Sequence, residues 1–434
     1  MRIITQYSDI LQELQRLQER HRPPALSLID TALEQLLAFQ RSSRQNTASQ
    51  TTVDRPLRVS GSILDAAYQR ISQGQLRVIR RACQQLEQLY RQQIPTAQVT
   101  FGEEDLVRGQ RYYPVKRAGF YLENAQEEVL RGSRQGCLSN LLRQGMLAKV
   151  AGVRERVLVT PGDAPGTINP EILVAAQEMG IEEIYQLDGV TAIAALALGT
   201  DSLAAVASIT GVGSAAVMAA KQLVGAWVSI DQMLERTDLI ILVADHANPQ
   251  LVALDLLAYA DQDPQASLVV LTDRQPLADQ ISHWVATYCR DQNYSIHTEK
   301  AIAHYGLIGV VDDLTVCLDW VNQFEPYTLM VAMADPWPVV EKVQRAREIY
   351  ISQKTPPLLA DYVAGSLCLR YRDGDFRSAS QLALNCFLQP CRLLDYGANT
   401  LPDWLPELVN SEDSRAVQQR LAWKSEGQNP ASSL

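Results

Sequence analysis

The sequence has few histidines and no closely paired cysteine motif. Only five of its 434 residues are histidine, and its seven cysteines are scattered, with no Cys-x-x-Cys among them. Zinc sites and redox-active thiol pairs need such ligands at short, regular spacing. We therefore expect reduced thiols and no zinc site built on histidine.

Long apolar runs and an excess of positive charge are also missing. No run of about 18 apolar residues is present, which argues against a membrane-spanning helix. The formal net charge is −10, which argues against nucleic acid or an anionic membrane as a partner. Residues 1–20 are amphipathic and charged, unlike a signal segment. We expect a cytoplasmic protein.

The sequence does contain a regular alternation of strand-like and helix-like segments. The alternation runs from residue 156 to residue 230 and restarts with a fully apolar run at residues 239–244. Fully apolar strands are typical of the centre of a parallel sheet, and short connections place helices on both faces. We predict an α/β fold of two Rossmann-like units with parallel sheets, plus helical N-terminal and C-terminal extensions.

Two local features come close to a functional motif. Gly211-Val-Gly213 follows a strand and precedes a helix, but it lacks the third glycine of a dinucleotide fingerprint. It favours a plain strand-to-helix turn. His246 follows a central strand, where α/β sites occur, although a loop histidine without a partner is usually solvated. We place His297 and His304 in short alternating runs.

Several motifs resemble the framework of histidinol dehydrogenase, and they follow the order of that family. They are Arg117-Ala-Gly-Phe-Tyr121, Ala148-Lys-Val-Ala-Gly-Val153, Asn169-Pro-Glu-Ile-Leu173, Ala192-Ile-Ala-Ala-Leu-Ala-Leu-Gly-Thr200, Ala219-Ala-Lys221, Ile230-Asp231, Val243-Ala-Asp245, Asp255-Leu-Leu257 and Asp361-Tyr362. The resemblance implies an NAD-dependent, zinc-containing enzyme of histidine biosynthesis. Such an enzyme oxidises L-histidinol to L-histidine in two hydride transfers. It also implies an intertwined homodimer, in which the C-terminal part of one subunit completes the partner's site.

Pattern and resemblance together divide the chain into four parts. Residues 1–55 form an N-terminal helical arm that ends in a polar linker at residues 41–55. Residues 56–125 and 239–365 are assigned to a first α/β domain, and residues 126–238 to a second Rossmann-like domain. Residues 366–434 are assigned to a C-terminal dimerisation tail.

The resemblance places the family's metal ligands at positions that hold other residues here. The Gln and His of the family's metal-binding helix correspond to Tyr259 and Gln262. The family's Asp ligand is kept as Asp361, and its C-terminal His corresponds to Asp413. A phenol is a poor zinc ligand at neutral pH, and an amide replaces imidazole only weakly. We expect no metal at these four positions.

The family's catalytic Glu-His pair is also replaced, by Tyr327 and Thr328. Neither side chain accepts a proton near pH 7, so we expect no catalytic residue there. Glu325 would serve as a base only if the alignment slipped by one residue. The positions that correspond to the substrate cleft are Asp238, Tyr259, Gln262 and Cys368.

The cofactor positions are changed in part. Tyr121 is kept, and Thr191 and Ser214 stand at two further NAD-contacting positions. The loop after Tyr121 reads Glu123-Asn-Ala125, where the family has Pro-Gly-Gly. An acidic residue in that loop repels a pyrophosphate, so no cofactor is expected.

Three functions stay open at this point. The first is a catalytically degenerate member that keeps the fold and the homodimer for a binding, scaffolding or regulatory role. The second is an active enzyme that uses NAD and zinc to oxidise histidinol or a related alcohol. The third is a small-molecule sensor whose cleft is lined by Tyr259, Gln262, Tyr327 and Thr328.

Overall fold

The computed structural model of the chain has two compact units, and each is described by itself. It describes residues 1–19, 26–45, 57–101, 106–123, 134–162, 167–211, 213–231, 238–262, 266–291, 294–346, 348–351 and 384–396. The larger unit is Met1–Gln93 with Val115–Phe387, and the smaller is Ile94–Pro114 with Leu388–Leu434. The larger unit contains two six-stranded sheets, and the smaller contains one three-stranded sheet.

Helices and strands alternate along most of the described chain. The helices are α1 (Tyr7–Glu19), α2 (Leu26–Gln45), α3 (Gly61–Arg70), α4 (Gln73–Arg91), α5 (Arg134–Ala151), α6 (Pro170–Glu178), α7 (Gly189–Leu198), α8 (Ala215–Val224), α9 (Pro249–Gln262), α10 (Gln275–Asp291), α11 (Ile296–Tyr305), α12 (Leu314–Phe324) and α13 (Trp337–Val340). The strands are β1 (Arg2–Ile4), β2 (Leu57–Arg58), β3 (Gln98–Phe101), β4 (Leu106–Pro114), β5 (Arg117–Tyr121), β6 (Glu155–Thr160), β7 (Glu183–Gln186), β8 (Ser208–Thr210), β9 (Ser229–Ile230), β10 (Asp238–Val243), β11 (Ser267–Thr272), β12 (Gly306–Val310), β13 (Thr328–Ala332), β14 (Glu348–Ile351) and β15 (Leu388–Tyr396). A short 3-10 helix, Leu384–Cys386, precedes β15.

The first sheet has the order β1-β12-β11-β10-β13-β14, and every neighbouring pair is parallel. Its central strand, β10, is buried along its whole length. Leu239 and Ile241 pack with α9, α10 and α11, whereas Ile240 and Leu242 pack with α1 and α12. Successive side chains of a strand point to opposite faces, so an apolar run buries both faces under helices.

The second sheet has the order β2-β7-β6-β5-β8-β9. All of its pairs are parallel except β2 with β7. α2, α7 and α8 share one core with this sheet. Because β5 is hydrogen-bonded between β6 and β8, and β2 joins β7, residues 57–58 and 117–121 belong to this sheet. The domain division made from the sequence placed residues 56–125 with residues 239–365. The strand pairing instead places residues 57–58 and 117–121 with β6, β7 and β8.

The smaller unit contains an antiparallel sheet of order β15-β4-β3. β3 has the alternating polar and apolar sequence of a strand, Gln-Val-Thr-Phe. β4 has no such pattern, because its sequence, Leu-Val-Arg-Gly-Gln-Arg-Tyr-Tyr-Pro, carries polar residues and a glycine. β15 belongs to the C-terminal extension, which was predicted to be helical, so this part of the prediction is wrong. Residues 366–383 and 397–434 of that extension lie outside the described residues.

The α/β fold with two parallel Rossmann-like sheets is confirmed, with three local differences. The N-terminal arm begins with a strand, β1, that pairs with β12. α2 continues to Gln45, so the start of the predicted linker is helical. His297 and His304 lie in α11 instead of in alternating runs. Within the described ranges, no helix is long and apolar enough to cross a membrane.

Candidate functional site

Four of the predicted site residues meet at the amino edge of the first sheet. Asp238 begins β10 and Thr328 begins β13, directly after Tyr327. The two strands pair in parallel with Leu239 opposite Thr328, so Asp238 lies beside Tyr327. Helix α9 returns from the carboxyl edge and brings Tyr259, near its end, to the same place. We call Asp238, Tyr259, Tyr327 and Thr328 the amino-edge cluster.

Two buried hydrogen bonds join the members of the amino-edge cluster in pairs. The backbone N–H of Tyr327 donates to Asp238 Oδ1 at 2.6 Å. The hydroxyl of Tyr259 donates to Thr328 Oγ1 at 3.5 Å. Each of the four residues is at most 5% exposed. At the positions that the resemblance assigns to the substrate, metal and base, the Tyr259 hydroxyl therefore bonds to Thr328, and the Asp238 carboxylate bonds to the Tyr327 backbone, inside the fold.

The donor groups of this cluster do not suit zinc. Tyr259 and Thr328 offer hydroxyls that bond to each other, and Asp238 uses one carboxylate oxygen on the Tyr327 amide. Zinc prefers thiolate, imidazole and carboxylate ligands in a tetrahedral set. In the part of the chain that the structure describes, no group of three His, Cys, Asp or Glu side chains is placed to hold a metal. Asp361, Cys368, Asp413 and the side chain of Gln262 lie outside that part.

Glu325, the alternative base, ends helix α12 in the left-handed conformation with φ 54°. Its carboxylate forms an ion pair with the Arg345 guanidinium. If the alignment were shifted by one residue, Glu325 would stand at the position of the family's base. Its carboxylate already pairs with Arg345.

Removing the hydroxyl of Tyr259 tests one of the two bonds in the amino-edge cluster. We expect Tyr259→Phe to lower the free energy of unfolding by about 1 kcal/mol, because the long, buried hydrogen bond to Thr328 is lost. Thr328→Val should cost a similar amount. The double variant should cost less than the sum of the two, since both changes remove the same bond. Urea unfolding of the three variants measures this, and strict additivity would contradict the contact.

The predicted cofactor residues meet at the carboxyl edge of the second sheet. Tyr121 ends β5 and is fully buried. Its hydroxyl donates to Asp188 Oδ1 at 3.3 Å and accepts the N–H of Gly189, at the start of α7, at 3.1 Å. Burial, with the nearby carboxylates of Glu123 and Asp188, raises the pKa of Tyr121 far above its usual value. Tyr121 is therefore a neutral hydroxyl that ties β5 to α7.

Thr191 and Ser214, the other two cofactor positions, border the same edge. Thr191 lies in the first turn of α7 and is half-buried. Ser214 is the N-cap residue of α8, and its side chain makes no capping hydrogen bond. The structure therefore brings the three predicted positions to two neighbouring helix starts.

Sequence reasoning gave no role to a buried ion pair beneath this edge. Lys221 and Asp231 are both fully buried and bond to each other. Lys221 Nζ also donates to the carbonyl of Gly211 at 2.6 Å, and the Gly211 N–H donates to Asp231 Oδ2 at 3.1 Å. Burial raises the pKa of Asp231, and Lys221 opposes that rise. The pair fixes the turn after β8. The sequence feature that could have indicated this ion pair is a single lysine, Lys221, within the apolar helix α8.

The histidines do not enter the amino-edge cluster. His246 follows β10 at the opposite edge, exposed, with φ 66°. His283 is exposed on α10, and the His304 ring bonds to the carbonyl of Lys300. His297 is half-buried in α11, and His21 lies outside the described residues.

Comparisons with known proteins give a consistent result. A family model for histidinol dehydrogenase matches residues 30–412. The "Histidinol dehydrogenase homolog" of Synechocystis sp. is 53% identical over 424 residues, covering 97% of this chain and 98% of that protein. The "Histidinol dehydrogenase 2" of Trichormus variabilis is 39% identical over 409 residues, covering 92% and 93% of the two chains. The crystal structure of histidinol dehydrogenase from Elizabethkingia anophelis has the same fold, with a TM-score of 0.77 at 22% identity over 98% of this chain and 96% of that chain.

Proposed function

This chain belongs to the histidinol dehydrogenase family, and on that premise we propose that it is a catalytically degenerate member. It keeps the family framework for a binding, scaffolding or regulatory role and does not oxidise histidinol. The observation that carries the proposal is the buried amino-edge cluster, in which Tyr259, Tyr327 and Thr328 stand where the resemblance places a metal ligand and the base pair.

The chemistry of the reaction supports this assignment. Oxidation of an alcohol needs a group that takes the hydroxyl proton as hydride leaves, and this family uses a metal to hold the substrate. An unperturbed Tyr phenol has a pKa of about 10, and a Thr hydroxyl does not ionise at neutral pH. Tyr259 and Thr328 already bond to each other, so the substrate would first have to open a buried contact.

The intact framework supports a retained non-catalytic role. Both six-stranded sheets are formed, and the Lys221–Asp231 pair holds the turn after β8. The Synechocystis relative matches almost the whole chain. We propose that the homodimer is retained too, with residues 366–434 as the dimerisation tail, because the family model extends to residue 412.

Metal content and turnover of the purified protein test the proposal. We expect no stoichiometric zinc after purification with zinc present, and no NAD reduction with L-histidinol above the rate without enzyme. The "Histidinol dehydrogenase" of Synechococcus sp., 39% identical over 409 residues, is the matched control for the same assay. The reason for the expected result is the missing donor set and base.

One zinc per chain together with NAD reduction would overturn the proposal and favour the active enzyme. A growth assay gives an independent readout. This chain should fail to restore growth of a histidine-requiring strain that lacks histidinol dehydrogenase, whereas the control enzyme should restore it.

A further inference from the structure

The carboxyl edge of the second sheet has the topology of a nucleotide crevice. From β5 the chain proceeds through β6 to β7 on one side, and then returns to β8 on the other side of β5. In open α/β sheets, ligands bind at the carboxyl ends of the two strands where this reversal occurs. Gly213 and the start of α8 lie there, and the backbone N–H groups at a helix start are the usual partners of a dinucleotide pyrophosphate.

This chain's own side chains fill the space above that turn. A Cβ atom placed on Gly213 would lie 2.6 Å from Glu123 Oε2, 2.7 Å from Val217 Cγ1 and 2.9 Å from Tyr121 Cε1. Glu123 follows β5 and is only 5% exposed. The space beside Gly213 that a phosphate could have occupied is therefore filled by side chains. The nearest of them is the buried carboxylate of Glu123.

We infer that Glu123 places an internal anion at the start of α8 and thereby excludes the pyrophosphate of a dinucleotide. The partial positive charge of a helix N terminus favours a carboxylate there, just as it would favour a phosphate. A phosphate would have to displace Glu123 or lie beside it, and like charges repel strongly in a buried site. The inference deepens the proposed function, and it rests on that function for the absence of NAD-dependent turnover.

The charges around Glu123 reinforce the exclusion. The Asp188 carboxylate accepts the Tyr121 hydroxyl at the same edge and adds a second negative charge. One cation at this edge, Lys221, is bonded to Asp231 and to the Gly211 carbonyl. An ammonium group in such an ion pair is not available to a phosphate.

Neutralising Glu123 without changing its shape tests the inference. NAD⁺ and inorganic pyrophosphate are titrated separately into the full-length wild type and Glu123→Gln, with calorimetry and melting temperature as readouts. We expect no saturable binding of NAD⁺ to the wild type up to about 1 mM, the upper end of common enzyme–ligand affinities. The variant should bind NAD⁺ about tenfold or more tightly than that limit, because the buried repulsion is gone. Glu182→Gln is the matched control, since it removes an exposed carboxylate at the opposite edge of the sheet and should leave binding unchanged.

The outcomes separate the inference from the proposed function. Wild type that binds NAD⁺ as tightly as Glu123→Gln overturns the inference, and so does a folded Glu123→Gln that binds neither probe. If Glu123→Gln does not fold, Glu123→Ala replaces it and is judged by the same two criteria. Zinc content and histidinol oxidation are measured on the wild type alone. The proposed function can therefore fail while the role of Glu123 stands, or the reverse.

Discussion

Replacing Lys221 by methionine is expected to lower the free energy of unfolding by about 3–5 kcal/mol. Methionine fills a similar volume, but it leaves the Asp231 carboxylate fully buried without its cation. It also removes the donor to the Gly211 carbonyl, which then stays buried without that bond. Guanidinium unfolding of wild type and variant, followed by circular dichroism, measures the difference.

An exposed lysine provides the control for this experiment. Lys149 pairs with Glu87 at 3.7 Å, with 38% of its side chain exposed. Lys149→Met should cost less than about 1 kcal/mol, because water screens an exposed pair. Similar losses in the two variants would contradict a structural role for the buried pair.

The second large effect is expected from Gly211→Ala, at roughly 2–6 kcal/mol of lost stability. Gly211 has φ 126°, a backbone conformation that side chains rarely adopt, and forcing alanine into it costs about 1–3 kcal/mol. The new Cβ would lie 2.0 Å from the carbonyl oxygen of Tyr121, so β5 and β8 would have to separate, which adds about 1–3 kcal/mol. Thermal and denaturant unfolding measure the sum.

Gly189 separates the two contributions, because it also has a positive φ, 58°, but a Cβ there would meet nothing within 4 Å. Gly189→Ala should therefore cost only the conformational penalty, about 1–2 kcal/mol. Equal losses in Gly189→Ala and Gly211→Ala would show that the close approach of β5 and β8 adds nothing.

Local pattern was enough to predict the elements whose residues are buried on both faces. The run at residues 239–244 predicted β10 to within one residue, and its neighbour β11 is likewise buried along its whole length. Such strands are recognisable because an uninterrupted aliphatic run is typical of a parallel strand that is buried under helices on both faces. The weakly patterned elements were missed. β1 is three residues long and depends on pairing with β12, some three hundred residues away.

The candidate site was predicted only as a set of positions. The resemblance supplied Tyr259, Tyr327 and Thr328 as replaced residues but not how they contact each other. Pairing of β10 with β13 puts Asp238 against the Tyr327 amide, and the return of α9 brings Tyr259 to Thr328. Those contacts join residues far apart in the chain, and no local periodicity encodes them.

The sequence by itself determined the α/β class, the positions of strand-like runs along the chain, the family resemblance and the kinds of side chain available for chemistry. These depend on local periodicity and on residue type. Only the tertiary structure decided that β2 and β5 join the second sheet, that buried hydrogen bonds join the amino-edge cluster in pairs, and that the Glu123 carboxylate lies over Gly213. Each of these depends on which distant segments the fold brings within a few ångströms, and that is set by packing of the whole larger unit.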